Sequence, residues 1–393
     1  MHYNFDEIIP REGTMSVKYD LRKKIFKNEG ILPMWVADMD FRTPDFIINA
    51  IHKRLEHEIL GYTHIAPSFY ESIVNWNQRH HNWKTKPEWI SFSPGIVPAI
   101  NLLVMAFTQP GDGIIIQPPV YFPFFSAVEN HGRKLVLNPL RYENGGYFMD
   151  FTDLEARIDG NTRMLILCNP HNPTGNTWSP DVLRRLGEIC IKNNVILISD
   201  EIHADLVYSG HRHTPAASIS DKIAGITITC MSPSKTFNLA GLSTSYLVIP
   251  DHQRKLQYEK VLDHVHVGAG NIFGFVAAEA AYTYGDDWLN QLMEYLAGNL
   301  RLLQEFITKH LPIIRVIPPQ ATYLIWLDCS ELGMTPAALK SFMVHKAGLG
   351  LNDGPQFGME GEGFQRINIA CPRQVLHEAL LKLLAAINKY FNK

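Results

Sequence analysis

The stretch Met164-Leu165-Ile166-Leu167-Cys168-Asn169-Pro170-His171-Asn172-Pro173-Thr174-Gly175 decides how this chain folds. Five apolar residues run without interruption and then break into a polar turn rich in proline, which reads as a buried strand rather than a helix. Outward from it the pattern repeats at Ile114 to Ile116, Val195 to Ser199, Ile226 to Cys230 and Tyr246 to Ile249. Helical patterns lie between them. The clearest opens at Ser179-Pro180 and sets Val182, Leu186 and Ile189 on one face. Strands that alternate with helices build crossover units, so the fold class is α/β with a largely parallel sheet flanked by helices.

Other elements surround this centre. A helix is expected from Thr43 to about Leu60, with Thr43 as cap, Pro44 in the first turn, Ile47, Ile51, Leu55 and Ile59 on one face, and Gly61 as its end. A long amphipathic helix from about Trp288 to His310 carries Leu289, Leu292, Leu296, Leu300, Leu303 and Ile307 in register until Pro312 stops it. It looks like a spine between domains. Beyond it, Ile313 to Ile317, Tyr323 to Leu327 and Arg366 to Ile369 read as strands. Two helices accompany them, the last carrying Leu376, Leu380, Leu383, Ile387 and Phe391, which makes a smaller α+β domain. The expected division is 1–42 as an amino-terminal arm with part of the small domain, 43–287 as the large domain, and 288–393 as spine helix and small domain. The segment Gly348 to Gly363 holds six glycines in sixteen residues and is expected to be a mobile surface loop.

Composition excludes several functions. The 393 residues are 46% hydrophobic and 19% charged, with 36 Lys and Arg against 39 Asp and Glu, a net charge of −3. Such balance, without runs of like charge, gives no nucleic-acid or anionic-membrane surface. No apolar run approaches the roughly 18 residues of a membrane span, and the amino terminus shows no signal-peptide pattern. Cys168, Cys190, Cys230, Cys329 and Cys371 are odd in number and far apart, which suits free thiols and a cytoplasmic protein. The close histidine pairs His80/His81, His211/His213 and His264/His266 lack further ligands in a metal-binding pattern, and no metal is expected. The glycine-rich signatures of dinucleotide and triphosphate binding, the serine-hydrolase elbow and the zincin motif are absent.

Three polar residues follow the carboxyl ends of three expected strands: Asn172, Asp200 and Lys235. That edge of an open α/β sheet is where ligands bind, and this trio suits pyridoxal phosphate. A lysine supplies the primary amine that holds the aldehyde. A carboxylate keeps the pyridine nitrogen protonated. An amide donates to the phenolate oxygen without quenching its charge. The phosphate needs N–H groups at a helix start, which Gly95, Ile96 and Val97 offer after the strand Trp89 to Phe92, and hydroxyls, which Ser232 and Ser234 offer beside Lys235. Tyr121 follows Pro118-Pro119 and is positioned to stack on the ring. Singly, each signal is commonplace: a surface lysine, a helix-capping aspartate, a turn. Their conjunction in one order along the sheet edge is not.

With these residues in place the chain resembles the fold type I pyridoxal-phosphate enzymes, the aspartate-aminotransferase superfamily. The runs Leu32 to Phe41, Ser199 to Leu206 and Ala370 to Arg373 are similar to the MalY/PatB group of cystathionine β-lyases, or C–S lyases. The resemblance implies a large domain with a seven-stranded sheet, Lys235 as the cofactor-linking and catalytic amine, Asp200 on the pyridinium, Asn172 on the phenolate oxygen and Tyr121 on the ring. It implies that Arg366 grips the substrate α-carboxylate and that Tyr62 reaches the phosphate of a neighbouring subunit, hence a homodimer with shared sites. Two positions depart from the aminotransferase pattern. His203 stands where a tyrosine often donates to the phenolate oxygen, and Ser243 stands where an arginine commonly meets the phosphate.

The implied reaction is α,β-elimination on a small-molecule amino acid bearing sulfur at Cβ, such as cystathionine, giving thiol, pyruvate and ammonia. Two alternatives stay open. An aminotransferase would use the same residues, and a cofactor-bound regulatory protein would keep the site without needing turnover.

Overall fold

The computed structural model describes residues 2–268 and 270–391. The seven strands β1 (Ile90–Ser93), β2 (Gly113–Ile116), β3 (Lys134–Leu137), β4 (Thr162–Cys168), β5 (Ile196–Asp200), β6 (Thr227–Met231) and β7 (Ser245–Val248) form one sheet. Its order is β1-β7-β6-β5-β4-β2-β3. Pairings among β2 to β6 are parallel, whereas β7 runs antiparallel to both β6 and β1.

Both faces of this sheet are buried, which is why its strands read as unbroken apolar runs. Along β4, Met164, Ile166 and Cys168 join one core cluster while Leu165 and Leu167 join another. Side chains alternate across a strand, so each face needs its own cover. Helices provide it. Pro180–Lys192 packs Leu183, Leu186 and Ile189 on one side, its first turn fixed by Ser179 Oγ accepting from Val182 N–H. Ile96–Phe107 packs Ile100, Leu103 and Val104 on the other.

The spine helix spans Asp286–His310, and all six of its expected core residues are buried. After it, β8 (Arg315–Val316), β9 (Leu324–Asp328), β10 (Asn352–Asp353) and β11 (Phe364–Asn368) make a second sheet of order β8-β9-β11-β10, all antiparallel. The closing helix Arg373–Phe391 buries Leu376, Leu380, Leu383 and Ile387, but Phe391 faces outward. From the amino-terminal chain, Leu32–Pro33 pairs in parallel with Leu349–Gly350 as a separate two-stranded sheet.

Two expectations need correction. The first helix spans only Asp45–Leu55, with Pro44 as its cap residue and no side-chain cap from Thr43. It stops well before Gly61. Beyond Leu55 the apolar residues Ile59 and Leu60 stay exposed, so the periodic pattern has no surface to pack against and the helix gains nothing by continuing. The glycine-rich segment is not a surface loop either. It carries β10, buries Leu349, Leu351 and Phe357, and brings Gly354 so close to Gly361 that a Cβ on Gly354 would lie 1.8 Å from the Gly361 carbonyl oxygen. Its glycines permit backbone to pack on backbone.

No helix among the described residues is long and apolar enough to cross a membrane. All five cysteines are free and buried, and no cluster of three potential metal ligands occurs among the described residues.

Candidate active site

The carboxyl edge of the sheet opens into a cavity of about 200 Å³. Asp200 ends β5, Asn172 lies four residues past β4, and Lys235 lies four past β6 in the short helix Pro233–Thr236; all three line the cavity. Gly95, Ile96, Val97, Tyr121, His203 and Ser234 line it too. Ser232 and Tyr62 do not. The Ser232 hydroxyl is already committed, donating to the Thr244 carbonyl at 2.9 Å and accepting from Ser234 N–H at 3.1 Å, so it caps the lysine-bearing helix. Tyr62 is fully solvent-exposed on a segment without regular structure, outside its own chain's cavity.

Burial sets the electrostatics. Asp200 is 3% exposed, and burial lifts its carboxyl to about 7, against the pull of the Ile202 N–H and Lys235. Burial also lowers the Lys235 amine to about 8, with Asp38 opposing and Arg366 assisting. Lys235 Nζ donates to the Ala37 carbonyl at 2.7 Å, which aims the amine across the cavity toward the amino-terminal segment. His203 is held neutral, its imidazolium pushed down to about 3 by burial and by the nearby cations Lys235 and Arg366. Burial keeps the Tyr121 phenol protonated up to about 12.

Arg366 on β11 stands just behind this wall. Its guanidinium donates from Nη1 to Asn172 Oδ1 at 2.8 Å and from Nη2 to Asn352 Oδ1 at 2.6 Å and the Trp35 carbonyl at 3.1 Å, lying over the Phe357 ring at 4.9 Å. Every one of these acceptors is neutral. Among the described residues no carboxylate pairs with Arg366, and its buried Nε–H has no partner. A buried cation without an anion is costly unless a ligand supplies the charge.

Sequence reasoning singled out Ser243 but missed several other lining residues. Ala37 comes from the amino-terminal arm, and Thr244 and Ser245 come from the entry to β7. The antiparallel course of β7 explains the latter, because it sets Ser245 beside Ser93 and Tyr246 beside Met231. The first residues of this strand therefore share the edge formed by the last residues of its neighbours. Its direction was the missing signal. Lys235 is the cationic residue of the lining, so Ser243 does leave that wall without an arginine.

The described residues fit a phosphorylated aromatic aldehyde. An amine, a carboxylate, an amide and a phenol line the cavity together with a helix start and four hydroxyl side chains, those of Ser234, Ser243, Thr244 and Ser245. The family model for aminotransferase class I and II matches residues 31–383. The chain belongs to that family. It is 44% identical over 386 residues to the cystathionine beta-lyase PatB of Bacillus subtilis, covering 98% of this chain and 100% of that one. Cystalysin from Treponema denticola, solved with pyridoxal 5'-phosphate, superposes with a TM-score of 0.97 at 36% identity over 99% of this chain and 100% of its own. The pyridoxal-phosphate-bound C–S lyase of Staphylococcus hominis superposes with a TM-score of 0.91 at 38% identity over 98% of each chain.

Proposed function

We propose that this chain is a pyridoxal-phosphate-dependent carbon–sulfur lyase that performs α,β-elimination on an amino acid with sulfur at Cβ, such as cystathionine. The observation that carries the reading is the buried, carboxylate-free guanidinium of Arg366 behind a cavity that gathers Lys235, Asp200, Asn172 and Tyr121. Full-length similarity to proteins named as C–S lyases supports elimination over other reactions of the scaffold.

When bound, pyridoxal phosphate supplies an aldehyde that links to an amine and a ring that accepts the electron pair left at Cα. The protein does the rest. Asp200 would hold the proton on the ring nitrogen, and its buried carboxylate would gain a cationic partner by doing so. Asn172 would offer its NH2 group to the phenolate oxygen, because Arg366 already occupies its carbonyl end. Tyr121 would cover the ring. The amides of Ile96 and Val97 with the hydroxyls of Ser234, Ser243, Thr244 and Ser245 take the phosphate, helped by the positive end of a twelve-residue helix. Arg366 forks onto the substrate carboxylate. Lys235, its pKa lowered by burial to about 8, removes the Cα proton. The sulfur leaves as thiolate with little acid help, since thiol pKa values lie near about 8.5.

We assign residues 43–287 to a large cofactor-binding domain, with 1–42 and 288–393 forming arm, spine and small domain. The exposed Ile59, Leu60 and Tyr62 support a homodimer in which Tyr62 reaches the neighbouring site. Five free buried thiols support a cytoplasmic setting.

Purified protein given cystathionine alone tests the reaction. Thiol and pyruvate released in equal amounts over many turnovers establish elimination. A reaction that stalls until a keto acid is added identifies an aminotransferase instead, the second reading that the family description favours.

A further inference from the structure

Lys235 sits on a helix of four residues, Pro233–Thr236, too short to hold its own position. Something outside it must fix the amine. Two side-chain tethers follow the lysine in the chain. Thr236 Oγ1 donates to Asp205 Oδ2 at 2.7 Å. Asn238 clasps the amino-terminal arm, with its Oδ1 accepting from Met39 N–H and its Nδ2 donating to the Met39 carbonyl, both at 2.9 Å.

Asp205 belongs to the turn that starts at Asp200. That turn is closed by Ala204 N–H to the Glu201 carbonyl at 2.9 Å and Leu206 N–H to the His203 carbonyl at 3.0 Å. It presents Asp200 and His203 to the cavity. The other oxygen of Asp205 accepts from Trp76 Nε1 at 3.0 Å and lies 2.9 Å from His81 Nε2. The side chain is only 6% exposed. Burial pushes its carboxyl up, but the hydrogen bonds and charge of His81 and the bond from Thr236 outweigh it and hold the group at about 2. An ionised acceptor with three donors is rigid, and His81 presents its Nε2 proton to it. At the near end of the same turn Glu201 is anchored separately, accepting from Ser199 Oγ at 2.7 Å and Ala216 N–H at 2.9 Å and meeting His213 Nε2 at 2.8 Å.

We propose that Asp205 is a positioning residue for the elimination: through Thr236 it locks the short helix bearing Lys235 to the turn bearing Asp200. The amine and the ring-nitrogen carboxylate must keep one separation while the amine changes partners and takes a proton, and misplacement by an ångström costs such chemistry dearly. Among the described residues, the bond from Thr236 to Asp205 is the side-chain hydrogen bond that joins the turn Asp200–Leu206 to the helix Pro233–Thr236. The inference rests on the function proposed above.

Thr236→Val removes the bond from the lysine side while keeping the side chain's shape, and Thr236→Ser keeps the hydroxyl. In the cofactor-loaded protein, Thr236→Val is expected to lower kcat at least tenfold with KM within threefold, and to displace the absorption band of the lysine-bound cofactor or the pH at which it titrates. Thr236→Ser is expected to return kcat to within threefold of the parent with the parent spectrum. If valine is not accommodated, Thr236→Ala gives the same reading. A valine variant with parental kcat and spectrum and only a lower melting temperature overturns the inference and leaves the lyase reading standing. A parent protein in which borohydride fixes no cofactor at Lys235 overturns both.

Discussion

Arg366 and Asn172, 194 positions apart in the chain, share a hydrogen bond of 2.8 Å from guanidinium Nη1 to amide Oδ1. The bond joins the small antiparallel sheet to the turn after β4 and fixes which way the amide faces. With its carbonyl end taken, Asn172 has only its NH2 to offer the cavity. One buried cation therefore orients the group proposed to meet the cofactor, and in the proposed function it is the partner of the substrate's carboxylate.

Replacing Arg366 with lysine keeps the charge and loses the planar fork. Charge-assisted bonds are worth about 1.5–3 kcal/mol each, so Arg366→Lys is expected to raise KM for an amino-acid substrate by roughly 10- to 100-fold. Steady-state kinetics on cystathionine check it, with cofactor absorbance as a control. An unchanged KM would remove Arg366 from substrate recognition.

Asp200 predicts a trade between stability and binding. Its folded-state pKa of about 7 lies above the ordinary carboxyl value, so between about pH 4 and 7 the folded, cofactor-free chain binds more protons than the unfolded one. Stability from this group falls as pH rises through that window. Asp200→Asn lacks the ionisation. In cofactor-free protein the variant's stability relative to the parent should rise by roughly 2–3 kcal/mol between pH 5 and pH 8, while its grip on pyridoxal phosphate weakens. Urea titrations at the two pH values check this; a stability difference that does not change with pH would mean that Asp200 is not strained by burial.

The central sheet was legible in the sequence because its strands are buried on both faces, and the trio Asn172, Asp200 and Lys235 was legible because topology puts strand ends on one edge. What escaped has a physical pattern. Thr244 and Ser245 depend on the antiparallel direction of β7, which no local pattern encodes. Ala37 contributes only a backbone carbonyl. The helix expected to Leu60 and the loop expected at Gly348 to Gly363 failed for opposite reasons. The first has apolar residues with nothing to cover them in one chain, and the second has glycines used for close packing. Ser232 had the right residue type, but helix capping claimed its hydroxyl.

Lys235 predicts a pH profile. A lysine at about 8 is substantially neutral just above physiological pH, where an ordinary one near 10.5 is not. The ascending limb of kcat against pH is expected near 8, because the amine must be unprotonated to take the Cα proton. Lys235→Ala should lower kcat by about 10²–10⁴, the usual contribution of a positioned base. Rate profiles from pH 6 to 10 decide it, and a limb above pH 10 would require a different base.

Tyr62 carries the assembly prediction. Its side chain is fully exposed and follows Ile59 and Leu60, which are 71% and 57% exposed, a patch that a single chain leaves in water. Sizing chromatography is expected to give twice the 44.6 kDa chain mass. If Tyr62 serves the neighbour's phosphate, Tyr62→Ala should weaken cofactor binding about tenfold, the loss of one hydrogen bond of about 1.4 kcal/mol, without touching the Lys235 linkage. Mixing chains is the sharper check. Dissociating and reassociating Lys235→Ala with Tyr62→Ala creates hybrids in which one site has both the parental lysine and the parental tyrosine and the other has neither. Activity in the mixture above the sum of the two variants alone establishes a shared site. Activity equal to that sum, or a monomeric parent, would confine each site to its own chain.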